Sequence, residues 1–599
     1  MPSPKLNNPR RSQRAALHIT QFALTALALV IVFPAIFLAT PHSALPINAA
    51  ALQAASAQPR FAVSFAPELS SSPVDGRVFV ALSTNSNSEP RLQMNEQEAR
   101  SQQFFGVDVD SLAPGREVKF DDSTLGYPAR SFSEIPAGDY YVQGVFNKYA
   151  TFHLSNGHTV KLPMDEGEGQ HWDSKPGNFY SKPEKIHFDP ASNTPIHIKL
   201  TETIPPVAPV QDTDLVKHIR IQSDLLTKFY GRPMFLGGIV VLPGGWKDHP
   251  NAHYPLLVNQ GHFQRDFNGF RVTPPADNLQ GLALQRAQTA YQFYQDWTSG
   301  KLPHMLILII QHANPYYDDS YAVNSANVGP YGDAINHELI PYVEKEFRGI
   351  GAGWARALYG GSTGGWETLA TQVFYPDDYN GAWGACPDPV DFHAYQSVNI
   401  YDNKNAYWEI GPFGRVPRPD MRGTDGLTEA TNEAANRYEL VMGTNGRSGE
   451  QWDIWQAVFS PVGADGYPKP IWDPVTGVID KDVAEYWRQH YDLTAIMQRD
   501  WKTLGPKLNG KLHVMVGMMD TYFLDNAVHL MQAALEKTTD PHYAGDFDYG
   551  PGQPHCYTGP PGATAREGSL TFTQRVLKAS ADWMLKTAPS GADTNSWRY

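Results

Sequence analysis

The chain has 599 residues, and at roughly 100 to 200 residues per domain that length implies more than one domain. Hydrophobic residues make up 41 % and charged residues only 18 %, which excludes a disordered or coiled-coil protein. The formal charge is -14, and the first 57 residues hold four basic groups (Lys5, Arg10, Arg11, Arg14) and no acid, so the remainder is more acidic still and nucleic acid is excluded as a partner. The cysteine count of 2 excludes a disulfide scaffold and a four-thiolate zinc site.

A basic stretch, an apolar run from Phe22 to Leu38 and the small residues ending in Ala55-Ser56-Ala57 form a secretory signal pattern over residues 1–57. The competing reading is an uncleaved membrane anchor at residues 19–40, because the run approaches the roughly 20 residues that a bilayer needs. Arg10-Arg11 lacks the following residues of a twin-arginine signal. Both readings export the body of the protein to the periplasm, the cell surface or the medium, and leave membrane contact to this segment alone.

Residues 58–209 read as an all-β, sandwich-like module. Arg77 to Leu82, Ile135 to Phe146 and His158 to Leu162 are short runs of β-branched and aromatic residues between turns. The acid-rich Asp165-Glu166-Gly167-Glu168 lacks the regular ligand spacing of a calcium loop and reads as a solvated turn.

After the Pro-rich join ending at Pro209 the texture changes, and residues 210–599 read as an α/β domain. Near-continuous apolar strands at Gly237 to Pro243, Tyr254 to Gly261, His304 to Ile310 and Ala355 to Gly360, with a helix from Gly332 to Phe347, predict a mostly parallel sheet with helices on both faces. Asp333 is placed to cap the helical stretch from Ile335 to Phe347.

Gly360-Gly361-Ser362-Thr363-Gly364 follows an apolar strand and precedes a helical pattern, the context of a G-x-S-x-G nucleophile elbow. Small residues on either side permit the sharp turn and leave the hydroxyl exposed. A serine needs a histidine base and an orienting carboxylate, in the chain order Ser, Asp, His. Asp520 ends the strand from Leu512, and His555 lies on a Gly/Pro-rich loop before a last helix from Ser569 to Lys586. Asp525 reads as the cap of the helix after Asp520, and Asp388 is a second candidate acid. The N–H groups of Thr363 and His262 are the expected oxyanion donors. His249, His253 and His262 lack helix spacing and an HExxH pattern, so no metal is expected there.

From about Asp214 to Lys586 the chain resembles the esterase family of α/β hydrolases that includes enterochelin esterases, feruloyl and acetyl-xylan esterases, esterase D and the mycolyltransferases. The resembling pieces are YPLLVNQGH, SANVGPYGDAINHELIPYVEKEFR, YGGSTGGWETL and GMMDTYFLDNAVHL. The resemblance implies Ser362 as nucleophile, Asp520 as acid and His555 as base. Two departures stand out: Gln260-Gly261 replaces the usual His-Gly, and Cys556-Tyr557 follows the histidine.

About 125 residues separate Cys386 from the strand near Lys511, far beyond a usual connection, so an insertion at about 390–505 is expected as a lid. Its tryptophans (Trp408, Trp452, Trp455, Trp472, Trp487, Trp501) read either as surfaces for a sugar or aryl group or as the lid's own core. Cys386 and Cys556 both follow strands ending on the catalytic side, and a disulfide between them is expected, the alternative being two thiols. The expected activity is hydrolysis of a small-molecule or carbohydrate-linked carboxylic ester without metal or organic cofactor. Acyl transfer and non-catalytic carbohydrate binding are the other functions that fit these residues.

Overall fold

Eight strands form the sheet that carries the site in the computed structural model, which describes residues 58–559 and 568–599. The expected leader, its cleavage site and the segment 19–40 lie outside the described residues. The strands are β1 (Val216–Ser223), β2 (Met234–Val241), β3 (Leu256–Gln260), β4 (Leu306–Gln311), β5 (Arg356–Gly361), β6 (Ala382–Ala385), β7 (Leu512–Gly517) and β8 (Asp546–Gly550). Their order across the sheet is β1-β2-β4-β3-β5-β6-β7-β8. All pairings from β4 to β8 are parallel, and β2 runs against both of its neighbours. The sheet is thus mixed and mostly parallel.

Successive strand residues face opposite sides of the sheet, so a strand buried on both must be apolar throughout. Leu306 to Ile310 satisfies this, with every residue buried. The helices used below are α1 (Gly281–Thr298), α2 (Ile340–Phe347), α3 (Thr363–Phe374), α4 (Leu493–Leu508), α5 (Leu524–Leu535) and α6 (Ser569–Thr587). The helix expected from Gly332 begins one residue earlier, at Tyr331, and passes through a π-turn at Ile335–Leu339 before α2. Asp333 therefore lies inside its first turn and does not cap it; its carboxylate accepts the Tyr375 hydroxyl at 2.8 Å. Asp525 likewise is not a cap: Phe523 occupies that position in a left-handed conformation, and Asp525 pairs with Arg422 at 2.8 Å.

Amino-terminal to this sheet, Phe61–Phe65, Val118–Phe120 and Ile196–Leu200 form a three-stranded sheet. Val74–Ser83, Gln103–Leu112 and Gly138–Lys148 are the long strands of a seven-stranded one. Phe61, Val63 and Phe65 share a core with Val78, Val80 and Leu82. The alternate residues Phe79 and Ala81 face the other way and pack with Val441 and Met442 of the insertion. Both faces of that strand are thus covered, which is why Val78 to Leu82 is apolar without interruption. The hairpin Ala150–His153/Thr159–Leu162 adds Phe152 and Val160 to the core of the eight-stranded sheet.

The insertion between β6 and β7 holds two hairpins and the helices Asn432–Met442, Gln451–Phe459, Lys481–His490 and α4. Trp455, Trp472 and Trp487 are at most 1 % exposed, and Trp452 and Trp501 are also buried. Tyr395 touches four of these rings edge-on. Trp452, Trp455, Trp472 and Trp487 are the insertion's own core; Trp501 packs on Tyr543 and donates to the Pro541 carbonyl at 2.8 Å, and Trp408 lies half-buried under the Arg415 guanidinium.

Candidate active site

β5 ends at Gly361, and the chain reverses through Ser362 into α3 with φ 60 and ψ -127 at the serine. A non-glycine residue holds such a backbone only when its surroundings dictate it. Here glycines let three main-chain segments meet. A Cβ on Gly360 would come within 2.3 Å of the Gly364 carbonyl oxygen, one on Gly364 within 2.1 Å of the Gln260 carbonyl oxygen, and one on Gly365 within 2.4 Å of that of Ala385. The elbow is therefore packed directly against the ends of β3 and β6.

Ser362, His555 and Asp520 form one hydrogen-bonded run. Ser362 Oγ lies 2.9 Å from His555 Nε2, and His555 Nδ1 lies 2.8 Å from Asp520 Oδ2. Asp520 is fully buried, and its Oδ1 accepts the N–H of Tyr522 at 2.9 Å and of Leu524 at 3.3 Å. Burial disfavours a charged imidazole at His555, but the charge and hydrogen bond of Asp520 outweigh it and raise its pKa. The histidine segment is tied to the acid loop by the Met519 N–H, which donates to the Gln553 carbonyl at 3.0 Å. Gly517 makes that approach possible, since a Cβ there would meet the Gln553 carbonyl oxygen at 2.3 Å. The Tyr522 ring stands edge-on to the imidazole, 5.0 Å away.

Thr363 is the first residue of α3, so its N–H has no intrahelical acceptor. Among the described residues no acceptor takes the N–H of His262 either. The His262 ring is held between Asp318 Oδ1 and Asp319 Oδ2, each 3.1 Å from Nδ1. Burial opposes its charge, but hydrogen bonds and charge from these two acids raise its pKa above the ordinary histidine value. Burial raises the Asp319 carboxyl to about 7.

Asp388, the second candidate acid, does not take the place of Asp520. Its Oδ2 accepts Tyr321 Oη at 2.6 Å, Thr363 Oγ1 at 3.2 Å and Gln451 Nε2 at 3.3 Å, so it braces the residue after the nucleophile. Sequence reasoning missed Tyr321, Gln451 and the acids at 318 and 319. The run Tyr316-Tyr317-Asp318-Asp319-Ser320-Tyr321 is the available signal, because so dense a set of hydroxyls and acids needs polar partners from elsewhere in the fold, as Tyr317 finds in Gln451 and Tyr321 in Asp388.

Among the described residues, three groups of side chains have metal-ligand chemistry and donor atoms within 4.8 Å of one another. In two of them, His262/Asp318/Asp319 and Asp391/His393/Asp492, the imidazole is already ion-paired with a carboxylate of its group. The third is Cys386, Cys556 and His555. Its two sulfurs lie close together but are not bonded to each other. His249 stacks on Tyr599 at 3.4 Å and shares no group with His262.

No family model matches the chain. It is 26 % identical over 163 residues to the uncharacterized protein YjcH of Bacillus subtilis (strain 168), an alignment covering 24 % of this chain and 66 % of that one, just under two thirds of its length. Among solved structures, a ferulic acid esterase is similar over 62 % of this chain and 99 % of its own, with 14 % identity and a TM-score of 0.32. An S-formylglutathione hydrolase from Agrobacterium tumefaciens is similar over 63 % and 99 %, with 9 % identity and a TM-score of 0.31. FphF, a fluorophosphonate-binding serine hydrolase of Staphylococcus aureus, is similar over 62 % and 98 %, with 15 % identity and a TM-score of 0.29.

Proposed function

We propose that the chain is an exported serine esterase acting on carboxylic esters of small molecules or carbohydrates. The observation that carries this reading is the run from Asp520 through His555 to Ser362, with the serine at a strained strand-to-helix turn. Ser362 Oγ attacks the ester carbonyl carbon while His555 Nε2 takes its proton. Asp520 holds the imidazole in the required tautomer and stabilises the imidazolium. The N–H groups of Thr363 and His262 donate to the tetrahedral oxyanion. His555 returns its proton to the departing alcohol. Water then repeats the sequence on the acyl-enzyme and releases the acid. Side chains and main-chain N–H groups carry every step, so no cofactor is called for.

In this proposal residues 1–57 direct export or anchor the chain, residues 58–209 are an accessory module, and residues 210–599 are the catalytic region with its insertion at about 390–505. The test is hydrolysis of a panel of p-nitrophenyl esters and acetylated or feruloylated sugars beside Ser362→Ala. Turnover by the wild type that is lost in the variant supports the esterase. Inactivity on every ester, together with no labelling by a fluorophosphonate, overturns it in favour of a binding protein; diversion of product from free acid by added sugar makes it an acyltransferase.

A further inference from the structure

The chain's cysteine count is 2, and both side chains reach the catalytic groups. Cys386 follows β6 and is fully buried. Its sulfur lies within 4.8 Å of the Cys556 sulfur, while the N–H of Ser362 donates to the neighbouring Ala385 carbonyl at 3.0 Å. The Cys386 sulfur also lies 3.8 Å from where a Cβ on Gly361 would stand, so it packs against the elbow itself. Cys556 is the residue after His555, and its sulfur lies beside that imidazole. The two sulfurs and an imidazole nitrogen of His555 all lie within 4.8 Å of one another.

Both cysteines have backbone conformations that side chains rarely adopt, with φ 39 at Cys386 and φ 61 at Cys556. Such residues persist where surrounding structure over-determines them. The segment bearing His555 is tied by main-chain bonds of Gln553 to Met519 and to Gly550. A bond from Cys556 to the end of β6 would fix it on the far side of the imidazole.

We propose that Cys386 and Cys556 are a dithiol–disulfide pair, and that closing the disulfide clamps the His555 segment to the end of β6 and so holds the base in place on Ser362. The partly exposed Cys556 attacks first, because the thiolate is the nucleophile and the buried Cys386 thiol is held protonated by its surroundings. The Cys556 sulfur attacks a sulfur of a small-molecule or protein disulfide, and that oxidant's S–S bond breaks and releases one thiol. Cys386 then attacks the mixed disulfide at Cys556 and displaces the second thiol. Two electrons and two protons pass from the pair to the oxidant, one S–S bond forms and one is lost.

This inference rests on the reading of His555 as base, so its test keeps the two apart. The full chain is treated with oxidised glutathione or with a phosphine reductant, alkylated with iodoacetamide and weighed, and each form is labelled with a fluorophosphonate. The expected result is protection of both cysteines from alkylation in the oxidised form. Labelling of Ser362 is expected to slow about tenfold on reduction, as small displacements of a catalytic group do, and to recover on reoxidation with circular dichroism unchanged. Cys556→Ser is expected to label at the reduced rate whatever the redox treatment. A bridge that merely stabilises the fold would leave the labelling rate of folded protein unchanged, and that result, or alkylation of both cysteines after oxidation, overturns the proposal. Absence of labelling in both forms counts against the serine-hydrolase reading instead, and alkylation alone then decides the bridge.

Discussion

Arg77 of the amino-terminal sheet donates its Nε to the carbonyl of Val441 in the insertion at 2.8 Å, joining positions 364 residues apart. The guanidinium is 3 % exposed and also serves the carbonyls of Gly106 and Leu440, both at 3.2 Å, and the carboxylate of Asp108 at 3.1 Å. Asp108 in turn holds Arg447 at 3.2 Å. The insertion is therefore fastened to the amino-terminal sheet through a buried charge network.

Arg77→Ala removes a donor from the carbonyls of Val441, Gly106 and Leu440 and one of the two arginines from Asp108. Breaking a buried pair costs about 3 to 5 kcal/mol. The expected outcome is a large fall in the denaturation midpoint, read by urea unfolding. A variant within 0.5 kcal/mol of wild type would show that the network adds nothing.

The pH dependence follows from His555. It accepts the serine proton only when neutral, and Asp520 raises its pKa, so activity is expected to rise with pH through a midpoint above that of a free histidine. Asp520→Asn removes the charge that raises the pKa. Its midpoint is expected to move to lower pH, and kcat to fall on the order of 10^4-fold because the favoured tautomer is lost. Initial rates from pH 5 to 10 check both, and an unchanged midpoint in the variant would remove Asp520 from its role.

Much of this arrangement was legible before any coordinates. Ser362 announces itself because its turn needs glycines in fixed positions, and Asp520 and His555 follow from chain order. The apolar strands β3, β4 and β5 are visible because burial on both faces leaves no polar position to blur them. The clamp of Asp318 and Asp319 on His262 was not legible, since it joins the loop after β3 to the loop after β4 and no local pattern records that contact. The caps failed for a related reason: Asp333 and Asp525 look like caps locally, but Tyr375 and Arg422 compete for them from distant segments.

Gly364→Ala tests the packing of the elbow. Its Cβ would stand 2.1 Å from the Gln260 carbonyl oxygen and 2.9 Å from Gly261 Cα, both main-chain atoms that no side-chain rotation can move aside. The elbow and the loop bearing the His262 N–H must separate, and a displacement near 1 Å costs about 100-fold in rate. The expected outcome is loss of activity on that scale. Gly138→Ala meets nothing nearer than 3.8 Å and is the control, with unchanged turnover.

The insertion's tryptophans make a sharper stability test than truncation to alanine would. Trp472 Nε1 donates to Asn436 Oδ1 at 2.8 Å and Trp487 Nε1 to Ser460 Oγ at 2.9 Å, whereas the buried Trp455 Nε1 has no acceptor among the described residues. Replacement by phenylalanine removes similar volume at all three sites, but at Trp472 and Trp487 it also strands a buried polar partner. Leaving such a group unsatisfied costs about 1 to 3 kcal/mol. Trp472→Phe and Trp487→Phe are therefore expected to lose that much more stability than Trp455→Phe in urea titrations, with KM unchanged in all three because the rings pack within the insertion. A raised KM in any of them would instead make that ring part of the substrate surface.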